Sequence, residues 1–247
     1  MDPGSPAAGR CSNDTQLRVG EIFDRIAPTY DFLNHVLSLG QDFAWRRKVA
    51  ELLDDRKGLR VADLAKGTGD LLITLLRHRQ DLAGAAGIDI SEPMLNVCRQ
   101  KLRRGGFADR VTLYCADVAA SPFADGAFDA VTMGFGIRNT PDVRATLQEI
   151  LRILKPGGAA LILEFSLPRN RVFRWCHLRY LRYAVPLIGA VISGDRQAYR
   201  YLNESIEAFH SPSEFCGLMH QVGFVQVLAT PVTWGVASIY RGHKPND

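Results

Sequence analysis

The feature that most constrains this chain is a change of hydrophobic period near Arg60. From there on, short apolar runs alternate with amphipathic helical stretches. Val61 to Ala65 reads as a buried strand, followed by the turn Gly67-Thr68-Gly69 and a helix carrying Leu71, Leu72, Leu75 and Leu76. Ala85 to Ile90 reads as a second strand. Glu92-Pro93 then opens a helix with Leu95, Cys98 and Leu102 on one face, its proline in the first turn where a lost amide costs nothing. Val111 to Cys115 and Phe128 to Met133 are the next strands. Val143, Leu147, Ile150, Leu151 and Leu154 make an amphipathic helix stopped by Lys155-Pro156-Gly157-Gly158, and Ala159 to Phe165 is a fifth strand. Strands that are apolar throughout and alternate with helices predict a parallel sheet covered on both faces.

The flanks follow other patterns. Residues 1–16 are small and polar and read as a flexible tail, while Leu17 to Leu53 has helical spacing broken by Pro28 and Gly40. After Ser166 come about 45 residues rich in arginine and aromatics. The capping pattern Ser211-Pro212-Ser213-Glu214 then opens a helix, with closing strands expected at Gly223 to Ala229 and Gly235 to Tyr240. At 247 residues, 47% hydrophobic and 23% charged, the chain suits one α/β domain spanning 17–247. A helical lid over 17–58 and an insertion over 168–210 complete that reading.

Several function classes recede. The longest apolar stretch, Ala184 to Ile192, is nine residues and contains Pro186 and Gly189, far short of the roughly 20 a spanning helix needs. Met1 to Arg10 lacks the apolar core of a signal peptide, and five scattered cysteines without a CxxC pair read as reduced thiols, so a cytoplasmic location is expected. Histidines and cysteines show no metal-ligand spacing. The net charge of +4 is too mild to demand nucleic acid, but it is unevenly spread: Arg169 to Arg200 holds seven arginines and one acid, +6 locally against −2 elsewhere.

In an open α/β sheet, ligands bind at the carboxyl ends of the strands, where strand order reverses. The Gly67-Thr68-Gly69 turn lets backbone approach a ligand, and Asp89, ending the second strand, can accept ribose hydroxyls. A nicotinamide dehydrogenase would want a third glycine and a free helix N-terminus for a diphosphate. Here Asp70 opens the helix, which suits a cationic ligand better. GxG alone leaves both cofactor classes open.

The longer string is more specific. Asp63-Leu-Ala-Lys-Gly67-Thr68-Gly69-Asp70, Gly87-Ile-Asp89-Ile-Ser91, Ala116-Asp117-Val118 and Leu154-Lys-Pro-Gly-Gly158 resemble the class I S-adenosylmethionine-dependent methyltransferases in order and spacing. The stretches Gly20 to Asn34, Gly134 to Asn139, Leu163 to Ser166, Ile192 to Ile206 and Tyr240 to Lys244 resemble one subfamily, the C-methyltransferases of menaquinone and ubiquinone biosynthesis. The resemblance implies a seven-stranded, mostly parallel, Rossmann-like sheet whose last strand is antiparallel. It implies S-adenosyl-L-methionine held by Asp63, Gly67, Thr68, Gly69, Asp89, Asp117, Val118 and Gly134. It places Arg138 and Asn139 at the substrate side as catalytic residues acting on a phenolate, with Tyr30 and Asp31 in the lid. The implied substrate is a prenylated quinol, demethylmenaquinol or the ubiquinone precursor, and no metal is implied.

Simpler roles stand beside these. Arg138 can pair with Glu164, Asn139 can cap the helix before Val143, Asp31 can cap its own helix, and Thr68 can hold its turn by a local bond. The basic, aromatic insertion suits either a solvated face or peripheral contact with an anionic membrane at its inner face. Oligomeric state stays open, a homodimer included. Lys66, Gly134 and Trp234 depart from the subfamily's usual Gly, Ser and Gly. A quinone- or lipid-binding accessory protein without turnover, and a methyltransferase of a phenolic secondary metabolite, are the alternatives.

Overall fold

A computed structural model describes residues 30–188 and 196–246. The expected tail, the start of the lid and part of the insertion lie outside these residues. Helices α1 (Tyr30–Leu37) and α2 (Gln41–Glu51) precede a core of β1 (Arg60–Leu64), α3 (Asp70–His78), β2 (Gly84–Asp89), α4 (Glu92–Gly105), β3 (Val111–Cys115), β4 (Phe128–Gly134), α5 (Val143–Ile153) and β5 (Leu154–Phe165). Then come α6 (Arg171–Arg179), α7 (Arg196–Ala208), α8 (Pro212–Val222), β6 (Val225–Val232) and β7 (Ala237–His243).

The strands form one seven-stranded sheet in the order β3-β2-β1-β4-β5-β7-β6. The first five strands pair in parallel, while β7 is antiparallel to both β5 and β6. Six strands therefore share one direction and only β7 opposes them, as expected. Strand order reverses between β1 and β4, which opens a crevice at their carboxyl ends.

Two buried layers cover the sheet. On one face Leu71, Leu72, Leu75 and Leu76 of α3 pack with Trp45 and Val49 of α2. On the other, Leu147 and Ile150 of α5 pack with Phe215 and Met219 of α8. A small satellite cluster of Leu181, Val185 and Ile206 ties the insertion together. Caps place the helices. Ser91 accepts the Met94 N–H at the start of α4, and Ser211 and Glu214 form a capping box on α8. At α5 the cap is Asp142, accepting the Ala145 N–H at 3.0 Å, and not Asn139.

Boundaries differ locally from the pattern reading. The Lys155-Pro156-Gly157-Gly158 stretch follows the end of α5 at Ile153 as expected, but it lies inside β5, which begins at Leu154 and takes that residue from the helix. The register against β4 jumps there, from Phe128 opposite Leu154 to Ala130 opposite Ala159, so Pro156 and the two glycines form a bulge just past the helix end. Gly157 N–H donates to Lys244 O and Lys244 N–H returns to Gly158 O, pairing the bulge with the end of the chain. Gly223 caps α8 in a left-handed conformation, so β6 starts only at Val225.

Gly69 joins α3 to α4 through its lack of a side chain. It precedes α3 at φ 86°, and a Cβ there would lie 2.4 Å from Cys98 Sγ on α4. Gly69→Ala is expected to cost about 2–4 kcal/mol, combining a left-handed alanine with overpacking. In a Cys98→Ala background, the same substitution should cost only about 1–2 kcal/mol. Urea unfolding of the four proteins measures both values; equal costs in the two backgrounds would rule out the clash.

Candidate cofactor and substrate site

The crevice is lined by residues from the ends of β1, β2 and β4, the turn after β1, and the loop after β3. These include Asp63, Lys66, Gly67, Thr68, Asp89, Asp117, Val118, Gly134, Phe135 and Asn139. Two strand ends leave ordinary backbone space there. Ala65 has φ 46° and Phe135 φ 56°, left-handed values unfavourable for side-chain-bearing residues. A Cβ on Gly136 would sit 2.7 Å from Ala65 Cβ, so glycine lets these two bends meet.

Asp89 is pinned by backbone. Its Oδ2 accepts the Gly67 N–H at 2.7 Å and its Oδ1 accepts the Ser91 N–H at 2.9 Å. The carboxylate thus couples the glycine turn after β1 to the end of β2. Burial pushes its pKa up, against the opposing pull of the two amides and the Lys66 charge.

Asp63 is fully buried. Its Oδ1 accepts the Thr132 hydroxyl at 2.7 Å, while its Oδ2 has no hydrogen-bond partner among the described residues. Burial drives its pKa up to about 7, with the Thr132 hydroxyl and the Lys66 ammonium acting in the opposite sense. Lys66 is itself buried. Its stem lies where a Gly87 Cβ would be, 2.5 Å from the Lys66 Cδ, and its Nζ donates to Gly67 O at 3.1 Å.

Helix α1 reaches over the turn. Asp31 accepts the Thr68 hydroxyl and pairs with Lys101 of α4, which also binds Asp70 Oδ1 at 2.6 Å. His35 Nδ1 lies 2.6 Å from Asp42 Oδ2 and its Nε2 4.0 Å from Asp70 Oδ2. Arg46 pairs with Asp42 and lies 3.7 Å from Asp70. These charges link α1, α2, α3 and α4 around the crevice. Asp31 thus faces the turn and α4, and Thr68 bonds across to α1 in place of a local bond. The Tyr30 side chain lies outside the described residues.

On the opposite wall, Asn139 lines the crevice and Arg138 does not. The Arg138 guanidinium donates to Glu164 Oε1 at 2.6 Å and to Phe135 O at 2.7 Å, its Nε reaches Ser205 Oγ at 3.4 Å, and it stacks over Phe165. Both partners are sequestered, Arg138 at 5% side-chain exposure and Glu164 at 0%. Asn139 Nδ2 donates to the same Phe135 carbonyl at 3.3 Å, and the Tyr201 hydroxyl donates to Asn139 Oδ1 at 3.0 Å. The Tyr201 phenol is pushed up in pKa, chiefly by burial.

Asp117 accepts the Ala119 N–H at 2.9 Å, which fixes the turn carrying Val118. Gly134 faces Leu71, whose Cδ2 would lie 3.2 Å from an added Cβ. Asp70 lines the crevice, as its place at the helix start suggested; Arg46 and Phe135 also line it, and Tyr201 and Lys101 hold its walls, although spacing alone did not single these four out. Asp70, Phe135 and Tyr201 lay within stretches that carried the family resemblance, whereas Arg46 and Lys101 did not.

The chemistry of this lining selects among ligands. Four aspartates (63, 70, 89 and 117) face two cations, Arg46 and Lys66. A diphosphate over Asp70 would be repelled, whereas a cationic, hydroxyl-rich ligand finds an unpartnered buried carboxylate oxygen and a side-chain-free cradle. S-adenosylmethionine, with a sulfonium, an ammonium and a ribose, fits those residues.

Comparison with known proteins agrees. A protein of Geobacter sulfurreducens named ubiquinone/menaquinone biosynthesis C-methyltransferase UbiE is 43% identical, over 92% of this chain and 88% of its own length. The demethylmenaquinone methyltransferase of Thermus thermophilus is 42% identical, over 91% of this chain and all of its own. Among solved structures, the [4+2]-cyclase SpnF superposes with a TM-score of 0.69 at 18% identity, covering 97% of this chain and 100% of SpnF. A possible histamine N-methyltransferase of Thermotoga maritima gives 0.64 at 18%, covering 91% and 99%. The sequence profile of the ubiE/COQ5 methyltransferase family matches residues 11–244, and the chain belongs to that family.

Proposed function

We propose that this chain methylates a ring carbon of a prenylated quinol, most simply demethylmenaquinol to menaquinol, with S-adenosylmethionine as donor. The observation that carries the cofactor half is the buried, unpartnered Asp63 Oδ2 facing a crevice whose next carboxylate, Asp89, is already oriented by two amides. Relatives named for this reaction at about 40% identity support the substrate half.

Asp63 would hold the cofactor's ammonium, Asp89 its ribose, and Gly67 to Gly69 would lie beneath the methionine part. Asp117 and Val118 would flank the adenine, and Gly134 leaves room beside Leu71. When bound, S-adenosylmethionine supplies an electrophilic methyl group whose transfer to the ring carbon leaves neutral S-adenosylhomocysteine; the displaced ring proton passes to solvent, and the phenolic proton given up to form the phenolate is regained when the quinol is restored. The protein's work is alignment, exclusion of water and stabilisation of a developing phenolate.

Asn139 is the wall residue placed to orient a ring oxygen, held from one side by Tyr201 and from the other by the Phe135 carbonyl. Arg138 shares that carbonyl, so it acts through Asn139 as a positioning residue, its charge balanced by Glu164. Asp31 acts as a lid latch, joining α1 to the cofactor turn through Thr68 and Lys101. A prenyl tail keeps the substrate in a bilayer. No described helix is long and apolar enough to cross a membrane, and we read α6 with its arginines as a peripheral contact with an anionic surface.

Labelled S-adenosylmethionine and a short-chain demethylmenaquinol test the proposal directly. Labelled menaquinol is expected; cofactor binding without product would favour the quinone-binding accessory protein. Asp89→Ala should fold normally yet weaken cofactor affinity at least about tenfold by calorimetry. Asn139→Ala and Tyr201→Phe should lower kcat about tenfold or more while leaving cofactor affinity within about twofold, since their work is on the reacting ring. Parental turnover in both would place the phenolate-stabilising group elsewhere.

Asp63 also makes a pH prediction. Its carboxyl rises from 3.8 in the unfolded chain to about 7 in the folded one, so between those values the folded state holds the extra proton. Stability is then expected to fall as pH rises through about 4 to 7, levelling off above. Asp63→Asn should lack this component, so urea midpoints of the two proteins should diverge with pH in the direction of a weakening parent. Cofactor binding near pH 6.5 should release protons from the parent and not from the variant, read as a buffer-dependent calorimetric enthalpy. A pH-independent difference would mean an ordinary carboxyl at 63.

A further inference from the structure

Helix α6 (Arg171–Arg179) contains no buried residue. Val172 is 70% exposed and Trp175 58%, and Tyr183 and Leu187 just beyond are equally open. Residues 169–188 hold five arginines and no acid. Arg182 pairs with Glu207, while Arg179 lies over the rings of Trp175 and Tyr183. Arg169, Arg171 and Arg174 have no acidic partner among the described residues. Its inner side is only half-buried, at His177 and Leu178, so it gains less from tertiary packing than most short helices do.

A second element continues this face. Trp234, at the tip between β6 and β7, is 77% exposed and stands at φ 54°, ψ 23°. Its ring meets Phe173 of α6 edge-on, with centroids 4.6 Å apart. The neighbouring Thr233 hydroxyl accepts the Trp45 indole N–H at 2.8 Å and donates to Gln41 at 3.2 Å, which fixes the tip against α2. Beside Gln41, the α1–α2 turn exposes Leu39 at 79%, again with a positive φ of 53°. Tyr180 OH donates to Leu37 O, joining that turn to the end of α6. Two large apolar residues thus occupy left-handed positions at solvent-facing tips, where the fold gains almost nothing from their side chains.

We propose that Trp234, with Phe173 and with Leu39 on the adjacent turn, is an apolar anchor that enters the interfacial layer of an anionic bilayer while Arg169, Arg171 and Arg174 meet lipid phosphates. The assignment rests on the peripheral membrane reading above. Charge complementarity selects the occupant: an aromatic tip flanked by unpaired arginines matches an anionic lipid surface, with phosphate at one depth and apolar matrix just below. The location also serves the reaction. Trp45, bonded to Thr233, packs against Phe135 and Phe165, and Phe135 lines the crevice, so an aromatic path runs from the anchor to the site.

The test uses the full chain with vesicles of phosphatidylcholine alone or with about 30% phosphatidylglycerol, salt varied, because attraction to surface charge is screened within about 8 Å in physiological salt. Trp234→Gly relieves the left-handed strain, so its unfolding midpoint should stay level or rise while partition onto anionic vesicles falls at least about tenfold. Arg171→Gln/Arg174→Gln should weaken binding and flatten its salt dependence. In a Trp175→Phe background, the emission component lost on Trp234→Gly, over the constant buried Trp45, should shift blue on anionic vesicles and be quenched by shallow spin-labelled lipid. If the arginine variant loses binding while Trp234→Gly partitions like the parent, the anchor assignment fails and the membrane reading stands. If the parent binds neither vesicle, the membrane reading fails and the anchor with it. If Trp234→Gly instead abolishes self-association seen by sedimentation without lipid, the face contacts a second copy and the anchor is overturned.

Discussion

The carboxylate of Asp89 is the joint on which the site depends. With one oxygen on the Gly67 amide and the other on the Ser91 amide, it locks the turn after β1 to the end of β2 and to the start of α4. Each bond is charge-assisted and shielded from water, so the geometry of the crevice is set before any ligand arrives. A carboxylate held in this way can present its remaining lone pairs to hydroxyls without reorganising.

Burying Asp63 and Asp89 side by side raises both carboxyls, and Lys66 is what keeps the arrangement tolerable. Its stem reaches its place only because residue 87 is glycine: a Cβ there would overlap the Lys66 chain. The departure at 66 and the glycine at 87 are therefore one feature. The lysine lowers the cost of ionising both aspartates, yet Asp63 retains an oxygen without a partner. That residual deficit is what a cationic ligand can relieve, and it favours an ammonium or a sulfonium over a phosphate there.

The sheet, its switch point and much of the crevice lining were legible because they rest on local signals: apolar strands, a glycine turn, and an acid closing β2. What escaped the sequence arises from contacts between distant segments. The bulge in β5 looks like a helix stop because Lys155-Pro156-Gly157-Gly158 carries every stop residue, and only its pairing with Lys244 keeps it in the sheet. The resemblance placed Arg138 with Asn139 at the substrate side, with pairing to Glu164 as its simpler role; the chain turns between them, so that Asn139 lines the crevice and Arg138 takes the simpler role. No local pattern marks Tyr201 as the partner of Asn139, sixty-two residues away, or Lys101 as the partner of Asp31.

Backbone strain divides this molecule into two working regions. Ala65 and Phe135 adopt left-handed conformations inside the crevice, where neighbours hold them on every side: Gly136 fits against Ala65, and the Phe135 N–H bonds Leu163 O at 2.7 Å. There the strain shapes a pocket, and the packed sheet supports it. Leu39 and Trp234 adopt the same conformation on the surface, with little protein around them to repay it. Strain at a packed site can be explained by what it builds, whereas strain at an exposed apolar tip points outward, to something the side chain meets. Both regions lie at the ends of one aromatic path through Trp45, Phe165 and Phe135, so the surface proposed to meet a lipid phase and the cofactor crevice are joined through the same few residues.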